Sequence, residues 1–343
     1  MSNQTLKIRR PDDWHVHFRQ DELIWVSRET AKVFARALAM PNLDPPIVNS
    51  AQAWNYNLLL ENELKIDFPD FHPFFAIKLT TNTTPDDISE AAINSILLAK
   101  LYPQGVTTNS QDGIKDFKKL YPVFKKMQEI GMVLSIHGEM PGDLVLAIEA
   151  EKLFLPILIE IATKFPKLKI VMEHLSTAAA VQIVSKLPNN VAATITVHHL
   201  ELDFDQVVAQ PGYIMRPHNY CKPIANNKTD RDALRQAAIS GNPKFFFGSD
   251  SAPHLRAKKE HPLYPAAGVF SAPVAIQLLT EIFESMDALD KLENFTSKYG
   301  AQFYNLPLND STITLIKESW QVPKEINGVV PFLAGHSLFW QVI

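Results

Sequence analysis

Two histidines near the N-terminus are the first candidates for chemistry. His15 and His17 are separated by one residue in the segment 14–19, which reads WHVHFR. Side chains at positions i and i+2 of a β-strand leave the same face, so both imidazoles can approach one ion from one side. Such a pair can also occur by chance, because the chain contains 11 histidines. The pair is a candidate metal site that needs support from other residues.

Three further candidate ligands, His137, His174 and Asp250, stand at the ends of apolar runs. Imidazole nitrogen and carboxylate oxygen are donors that zinc and similar divalent ions prefer. Taken singly, each of the two histidines is interpreted as a hydrogen-bonded core residue. Four histidines and an aspartate at comparable positions favour a metal centre instead.

The elements that must position these residues are short apolar runs that alternate with helical patterns. Most of the runs are continuously apolar, which is typical of parallel strands covered on both faces. We predict strands at 74–79, 132–137, 169–174, 191–196 and 245–250. We predict helices at 116–130, 142–165 with a potential break at Pro156, 177–187, 230–240 and 273–291. Alternation of this kind is typical of βα units.

The spacing of the candidates adds a regularity. Lys100, His137, His174 and Asp250 are separated by 37, 37 and 76 residues, and 343 residues accommodate about eight units of that length. We therefore predict an α/β fold of the (β/α)8 TIM-barrel type, with one catalytic domain over residues 1–343. Reactive side chains would gather at the C-terminal ends of the strands. A doubly wound open sheet gives similar spacing but would hold distant strands apart.

Lys100 is ambiguous. It stands in the segment 99–103, AKLYP, after an apolar, helix-like stretch, and from the residues alone it is interpreted as a surface lysine. If it faced two dications instead, the charged form would be disfavoured and its pKa would fall. Carbon dioxide could then trap the neutral amine as a carbamate.

Composition excludes several classes of protein. Lysine and arginine total 33 against 37 acidic residues, so the net charge is −4 and no basic excess is available for nucleic acid or an anionic membrane. The single cysteine, Cys221, excludes a disulfide framework and a cysteine-rich zinc cluster. The N-terminus has no signal-peptide pattern, and no apolar run reaches the roughly 18 residues that span a membrane. We expect a soluble, cytoplasmic protein.

Five ordered motifs resemble the amidohydrolase superfamily, and more narrowly the short bacterial and yeast-type dihydroorotases. The motifs are HxHxR at 15–19, the lysine in AKLYP, HGE at 137–139, EH at 173–174 and GSDSAPH at 248–254. The resemblance extends almost end to end, with supporting segments at 10–14, 40–43, 107–110, 194–196 and 330–335. It implies a cyclic amidase that interconverts dihydroorotate and N-carbamoyl aspartate, the third step of pyrimidine synthesis, and it implies a homodimer.

The resemblance also implies a centre of two zinc ions. A carboxylated lysine would bridge the ions, together with a water or hydroxide. The implied ligands are His15, His17 and Asp250 for the more buried ion, His137 and His174 for the other, and Lys100 for the bridge. Asp250 is also the implied catalytic base, which accepts a proton and passes it to the departing amide nitrogen.

A second group of positions matches the family's substrate contacts. Arg19, Asn42 and His254 match the positions that bind the substrate carboxylate, a backbone contact falls near Ala267, and Thr107 and Thr108 match a loop that closes over the ligand. The loop 262–265 departs from the family pattern. The family usually has proline and glutamine before His199, where this chain has Val197 and His198. We assign His199 only proximity to the site, and His198 no role.

Three alternatives remain at this stage. Hydantoinases and allantoinases share the HxH pair, the lysine and the aspartate, but Arg19, Asn42 and the segment 251–254 favour a substrate with a carboxylate. A mononuclear deaminase needs no bridging lysine. A non-catalytic scaffold with the same fold could have lost ligands, whereas all six candidate ligand positions are present here.

Overall fold

The computed structural model of the chain describes residues 4–210 and 213–343. Its strands are β1 (Thr5–Arg9), β2 (Asp12–Val16), β3 (Arg36–Ala39), β4 (His72–Lys78), β5 (Leu98–Leu101), β6 (Val133–Ile136), β7 (Ile170–Met172), β8 (Val191–Ile195), β9 (Val208–Gln210), β10 (Tyr213–Met215), β11 (Phe245–Phe247), β12 (Thr312–Gln321) and β13 (Ser337–Val342).

The α-helices mostly follow the strands in sequence, and several begin at a side-chain cap. Thr84 and Asp87, for example, form a reciprocal capping box at the start of the third helix. The helices are α1 (Val26–Ala31), α2 (Ser50–Leu64), α3 (Pro85–Ile93), α4 (Tyr121–Ile130), α5 (Ala150–Lys164), α6 (Ala178–Lys186), α7 (Val197–Glu201), α8 (Lys228–Ile239), α9 (Arg256–Lys259), α10 (Ala275–Ser285), α11 (Leu289–Glu293) and α12 (Tyr299–Phe303).

Eight parallel strands form the centre of the molecule, in the order β2-β3-β4-β5-β6-β7-β8-β11. The first and last strands meet just beyond β11, where the backbone N–H of Asp250 donates to the carbonyl of His15 at 2.8 Å. The N–H of His17 donates to the carbonyl of Ser251 at 3.0 Å. These bonds bring the ends of the sheet together, and the predicted (β/α)8 barrel is confirmed.

Alternation along the strands divides the barrel into an apolar interior and a polar mouth. One inward layer is an apolar cluster that includes Trp14, Leu98, Val133, Val171 and Phe246. The residues between them pack outward against the helices. Two positions further along a strand the side chain points inward again, now nearer the C-terminal end. The polar side chains that follow this layer therefore converge at the mouth of the barrel.

The structure corrects three predicted helix boundaries. The helix predicted from 142 begins at Ala150, after a loop in which Gly142 has φ 141°, and Pro156 lies inside it on an exposed face without ending it. The helix predicted over 273–291 is divided between α10 and α11, because Asp287 adopts φ 53°. The segment predicted as helix from 116 starts as a 3-10 turn before α4.

The two ends of the chain form a small sheet that the sequence patterns did not predict. β1 pairs antiparallel with β12, which pairs antiparallel with β13. Among the described residues, none of the helices combines the length and the apolar character that crossing a membrane requires.

Candidate active site

The N-terminal histidine pair faces Asp250 at the mouth of the barrel. His15 lies in β2 and His17 one residue beyond it, while Asp250 follows β11 on the neighbouring side of the ring. Asp250 Oδ1 lies 3.4 Å from His15 Nε2 and 3.1 Å from His17 Nε2. All three residues are buried. The predicted grouping of these side chains is observed in the fold.

His137 and His174 extend this group across the mouth. They follow β6 and β7, and their ring centroids are 4.7 Å apart. The His174 ring also lies 5.0 Å from that of His15. His174 and Asp250 both have positive φ, at 41° and 42°. This backbone conformation is unfavourable for residues other than glycine, and such outliers cluster at functional sites.

Lys100 lies beneath the histidines, and its interpretation as a surface lysine was wrong. It is on strand β5, two residues after the inward-facing Leu98, and it is fully buried. Burial lowers the pKa of its ammonium to about 8, although the carboxylates of Glu173 and Asp250 oppose the shift. Its Nζ has no hydrogen-bond partner among the described residues. A large neutral fraction near pH 8 makes this amine available as a nucleophile.

Glu173, the residue before His174, contacts His15 and two neighbouring hydroxyl groups. Its carboxylate accepts hydrogen bonds from Ser135 Oγ at 2.5 Å and Thr194 Oγ1 at 2.7 Å. Its Oε2 also lies 2.9 Å from His15 Nδ1, a close electrostatic contact at an angle outside hydrogen-bond geometry. Burial acts to raise the pKa of Glu173, but Lys100 and His15 outweigh it and lower the pKa to about 2. Glu173 is therefore ionised at neutral pH.

Hydrogen bonds between Asp13 and Ser249 join the two strand ends that carry His15 and Asp250. Ser249 donates to Asp13 through its backbone N–H at 2.8 Å and through Oγ at 2.5 Å. Asp13 also accepts from the backbone N–H of His15 at 3.2 Å. A Cβ at Gly248 would lie 2.9 Å from the Cβ of His15, so only glycine allows the strands to approach this closely.

Glu139 contacts His137 much as Glu173 contacts His15. Its Oε2 lies 2.6 Å from His137 Nε2, and its Oε1 lies 3.8 Å from Lys222 Nζ. Glu139 and Glu173 are both adjacent to candidate ligands in the HGE and EH motifs. The two glutamates were not among the predicted site residues, although each stands within two residues of a histidine at a strand end, which is a sequence signal for a supporting contact.

The donor set and its unpaired atoms fit a metal centre. The group offers imidazole nitrogens and a carboxylate, which suit zinc and similar ions. Oδ1 of Asp250 and one nitrogen of each N-terminal histidine, His15 and His17, lie within 4.8 Å of one another. In the described part of the chain, Nδ1 of His174 is buried and has no hydrogen-bond partner. Unpaired buried nitrogens are unfavourable in a protein unless a ligand or water contacts them.

Arg19 supplies a cation at the edge of the cluster. It lies beyond the end of β2, because the strand ends at Val16, and it adopts φ 59°. Its Nε donates to the carbonyl of Pro253 at 2.8 Å, and Tyr56 OH donates to the Arg19 carbonyl. Burial lowers the pKa of the guanidinium to about 10, so it remains charged at neutral pH.

His254 lies beside Arg19 and Ala267. Its Nε2 is 3.0 Å from Arg19 Nη2 and 3.0 Å from the Ala267 carbonyl. Burial and the nearby Arg19 lower the pKa of His254 to about 2, so the ring is neutral. A neutral Nε2 can accept from Arg19 or donate to Ala267, but one tautomer cannot do both. An anion that engages Arg19 would leave Nε2 free to donate.

Asn42 and the loop that carries Thr107 and Thr108 form another part of the site. Asn42 Nδ2 donates to the Thr108 carbonyl at 3.3 Å, and Asn109 Nδ2 donates to the Asn42 carbonyl at 3.0 Å. Ser110 Oγ accepts from the Thr107 N–H at 3.0 Å. Hydrogen bonds with Asn42 thus hold this loop in place.

Most of the predicted site residues line one cleft. Lys100 is buried beneath it, and His254 lines an adjoining groove with Arg19 and Asn42. Tyr102 and Lys222 also line the cleft, although sequence analysis assigned them no role. The predicted residues that line it are His15, His17, Arg19, Asn42, Thr107, Thr108, His137, His174, Asp250 and Ala267.

Comparison with known proteins agrees with this arrangement. A family model described as amidohydrolase matches residues 81–251. A dihydroorotase of Shewanella denitrificans is 47% identical in an alignment of length 348, which covers 99% of this chain and 99% of the relative. The chain belongs to the dihydroorotase family.

Solved structures of the dihydroorotase family have the same fold. The Saccharomyces cerevisiae dihydroorotase in complex with 5-fluoroorotic acid superposes with a TM-score of 0.90 at 35% identity, covering 99% of this chain and 98% of the other. The Campylobacter jejuni dihydroorotase gives a TM-score of 0.90 at 34% identity, covering 100% and 98%.

Lys259 is a further residue that sequence analysis of this dihydroorotase family member missed. Its Nζ is buried and donates to the carbonyls of Tyr220, Ala266 and Gly268 at 2.9, 2.8 and 2.6 Å. Two of these carbonyls flank Ala267, so Lys259 fixes the segment that contacts His254. A lysine in an exposed polar helix gave no sequence signal for this role.

Proposed function

We propose that this chain is a metal-dependent cyclic amidase that interconverts dihydroorotate and N-carbamoyl-L-aspartate in pyrimidine synthesis, within one catalytic domain over residues 1–343. Family membership supports the reaction. The observation that carries the proposal is the buried cation of Arg19 beside a histidine and carboxylate cluster in one cleft. Such a cleft suits a ring that carries both an amide and a carboxylate.

We propose two zinc ions as the resident metals. His15, His17 and Asp250 would hold one ion, His137 and His174 the other, with carboxylated Lys100 as the bridge. When bound, the two ions would lower the pKa of an attacking water and polarise the ring carbonyl. The burial of Lys100 and its lowered pKa support carboxylation, since the reaction with carbon dioxide requires a neutral amine.

Asp250 is the proposed proton carrier. Burial raises the pKa of its carboxyl, while His15, His137 and Lys100 oppose the shift. A raised pKa favours a group that must accept a proton and release it again. In ring opening, Asp250 would take the proton of the attacking water and deliver it to the departing ring nitrogen. In cyclisation the same carboxyl would act in the reverse direction.

Arg19, Asn42 and His254 are the proposed orienting residues. The guanidinium of Arg19 can form two parallel hydrogen bonds to a carboxylate, which fixes both position and plane. His254, neutral at working pH, can donate one further hydrogen bond. Thr107 and Thr108 would close over the substrate and exclude water, and Ala267 would supply a backbone contact. This set acts on the substrate's carboxylate and leaves its amide facing Asp250.

Substrate preference tests the proposal against a hydantoinase-like activity. Dihydrouracil has the same ring as dihydroorotate but lacks the carboxylate, so it is the matched control substrate. We expect the zinc-loaded chain to open dihydroorotate efficiently and dihydrouracil weakly, and we expect Arg19→Leu to reduce the difference between them. Equal turnover of both substrates, or faster turnover of dihydrouracil or hydantoin, would support the hydantoinase-like alternative. No turnover of any of them would support a non-catalytic scaffold.

The proposal includes a homodimer in the cytoplasm. The family resemblance implies the dimer, and the net charge of −4 gives no basis for a nucleic-acid or membrane partner. Light scattering of the purified chain measures the assembly directly. A mass of one chain across the micromolar range would remove the dimer from the proposal without affecting the reaction.

A further inference from the structure

We infer that His198, His199 and Cys221 form an additional binding site for a zinc-class divalent ion. The two histidines lie in α7, directly after β8, and the cysteine lies in the loop after β10. All three side chains are buried. None of them is among the described residues that line the active-site cleft. Its three ligands are thus distinct from the residues that are proposed above to hold metal at the mouth of the barrel.

His198 is the observation that points to a ligand. Its side chain is 0% exposed, and neither Nδ1 nor Nε2 has a hydrogen-bond partner within residues 4–210 and 213–343. Its ring lies 4.7 Å from that of His199 and 6.4 Å from that of Phe332. A buried imidazole normally pairs at least one nitrogen, because an unpaired polar group loses its hydration without compensation.

The neighbouring donor atoms have the spacing of a coordination site. One ligand atom from each of the three residues lies within 4.8 Å of the others, and Cys221 Sγ is 3.8 Å from His199 Nε2. In a tetrahedral zinc site with bonds of about 2.0–2.3 Å, neighbouring ligand atoms are roughly 3.3–3.6 Å apart. Only a small adjustment separates the observed sulfur–nitrogen distance from that range.

A backbone carbonyl supplies a fourth donor. The oxygen of Pro223 lies 3.0 Å from His199 Nε2 and 3.2 Å from Cys221 Sγ. Without an ion, the imidazole N–H and the thiol both donate to this oxygen. Two nitrogens, one sulfur and one oxygen make a mixed set that suits zinc or cobalt rather than magnesium or calcium.

Thr196 is placed to accept a hydrogen bond from the second ring nitrogen of His199. Its Oγ1 is 2.9 Å from His199 Nδ1. When Nε2 binds an ion, its proton moves to Nδ1, which then donates to Thr196 Oγ1. Metal-bound histidines usually donate their second N–H in this way. Cys221 binds as thiolate and releases its proton to solvent, so each ion bound releases one proton.

Cobalt substitution tests the site with a single spectral feature. Cys221 is the only cysteine in the sequence, so a thiolate-to-cobalt charge-transfer band in the near ultraviolet can arise from no other residue. The active-site ligands provide nitrogen and oxygen only, and they give weak visible bands. We expect the charge-transfer band in the cobalt-loaded wild-type protein, and its loss in Cys221→Ser with the visible bands retained. Metal content should fall by one ion per chain.

His198→Gln tests the unpaired histidine, with His218→Gln as the control. His218 is a partly exposed histidine paired with Glu260 at 2.9 Å, outside the proposed site. We expect His198→Gln to weaken cobalt binding at the thiolate site at least tenfold, and His218→Gln to leave it unchanged. An unchanged band in His198→Gln would remove His198 as a ligand and overturn the three-residue site.

Anomalous diffraction of zinc-loaded wild-type crystals needs no variant and covers the case in which a variant fails to fold. We expect an anomalous peak between Cys221 Sγ and a nitrogen of His198, in addition to the active-site peaks. Active-site peaks without that additional peak, or a cobalt protein without the charge-transfer band, would overturn the inference and leave the active-site proposal intact.

Discussion

The carboxylate of Glu173 lies 2.9 Å from Nδ1 of His15, while the other ring nitrogen, Nε2, faces Asp250 at 3.4 Å. The hydroxyls of Ser135 and Thr194 hold that carboxylate in place. An anion beside Nδ1 favours a proton on that nitrogen and leaves the lone pair of Nε2 free to bind a metal ion. Glu173 therefore favours the His15 tautomer in which Nε2 could bind a metal ion.

Replacing Glu173 by glutamine should weaken metal binding. The amide keeps the size of the side chain but removes the charge, and loss of such a supporting group typically reduces metal affinity or activity by about 10–100-fold. Zinc content after dialysis and turnover of dihydroorotate measure the two effects. Glu160→Gln, at an exposed glutamate, is the control. Full zinc content and full turnover in Glu173→Gln would contradict the assigned role.

Lys259→Met should weaken substrate binding more than it slows the chemical step. The three carbonyls held by Lys259 include those on either side of Ala267, so their release loosens the segment that contacts His254. Loss of a side chain that makes three hydrogen bonds should raise KM by roughly tenfold, with a smaller change in kcat. The exposed neighbour provides the control Lys258→Met. Equal effects in the two variants would make Lys259 a general stability residue.

Glu151 should make stability depend on pH in a defined direction. Its buried carboxyl accepts from Ser176 N–H at 2.8 Å and from Thr177 Oγ1. Burial raises its pKa to about 8, although these hydrogen bonds oppose the shift. Because the folded-state pKa lies above the unfolded value, the folded state holds more protons between about pH 4.5 and 8. The contribution of Glu151 to the free energy of unfolding is therefore lost as pH rises through that window.

Glu151→Gln should abolish this pH dependence, because the amide does not titrate. Relative to wild type, the variant should gain stability as pH rises from 5 to 8, by at most about 1.4 kcal/mol per pH unit. Urea unfolding at several pH values measures the difference. A stability difference that does not change with pH would show that Glu151 titrates normally.

Arg19→Lys and Asp250→Asn should separate binding from chemistry. Lysine keeps the charge but loses the two-pronged donor, so KM should rise while bound zinc stays constant. Asparagine at position 250 cannot accept the proton, so kcat should fall by roughly 10²–10⁴-fold. Steady-state kinetics with parallel zinc determination distinguish the two results. A nearly fully active Asp250→Asn protein would remove the proposed base.

The barrel was predictable because its strands leave a strong local pattern. The apolar runs predicted at 132–137 and 169–174 correspond to β6 and β7, each with a candidate ligand directly after it. The meeting of His15 and His17 was predictable from their i, i+2 spacing rather than from an apolar run. The family resemblance then identified most of the cleft residues by position.

Lys100 shows why part of the site was not predictable from local pattern. The strand β5 has only four residues, too few to show a period, and its inward direction depends on the neighbouring strands. Glu173 acts through contacts with Ser135 and Thr194, which are far away in the sequence. Lys259 binds carbonyls that only the fold of the loop brings to its side chain. His198 gave no signal, because a buried and unpaired imidazole is visible only in three dimensions.

Lys100→Ala should lose metal and activity together. Two dications about 3.5–4 Å apart repel each other, and an anionic bridge between them makes that separation tolerable. A short carboxylic acid supplied in solution should restore part of both, since it offers the same two oxygens. Lys100→Arg should not be active, because arginine keeps its charge and cannot form the carbamate. Full metal content in Lys100→Ala would show that the bridge is not required.

The most direct measurement is the electron density at Lys100 in crystals of active, zinc-loaded protein. We predict three additional heavy atoms continuous with Nζ, with the two oxygens each about 2 Å from a different metal ion. An unmodified Lys100 ammonium in a fully metallated, active enzyme would contradict the two-metal account and leave a single-ion hydrolase.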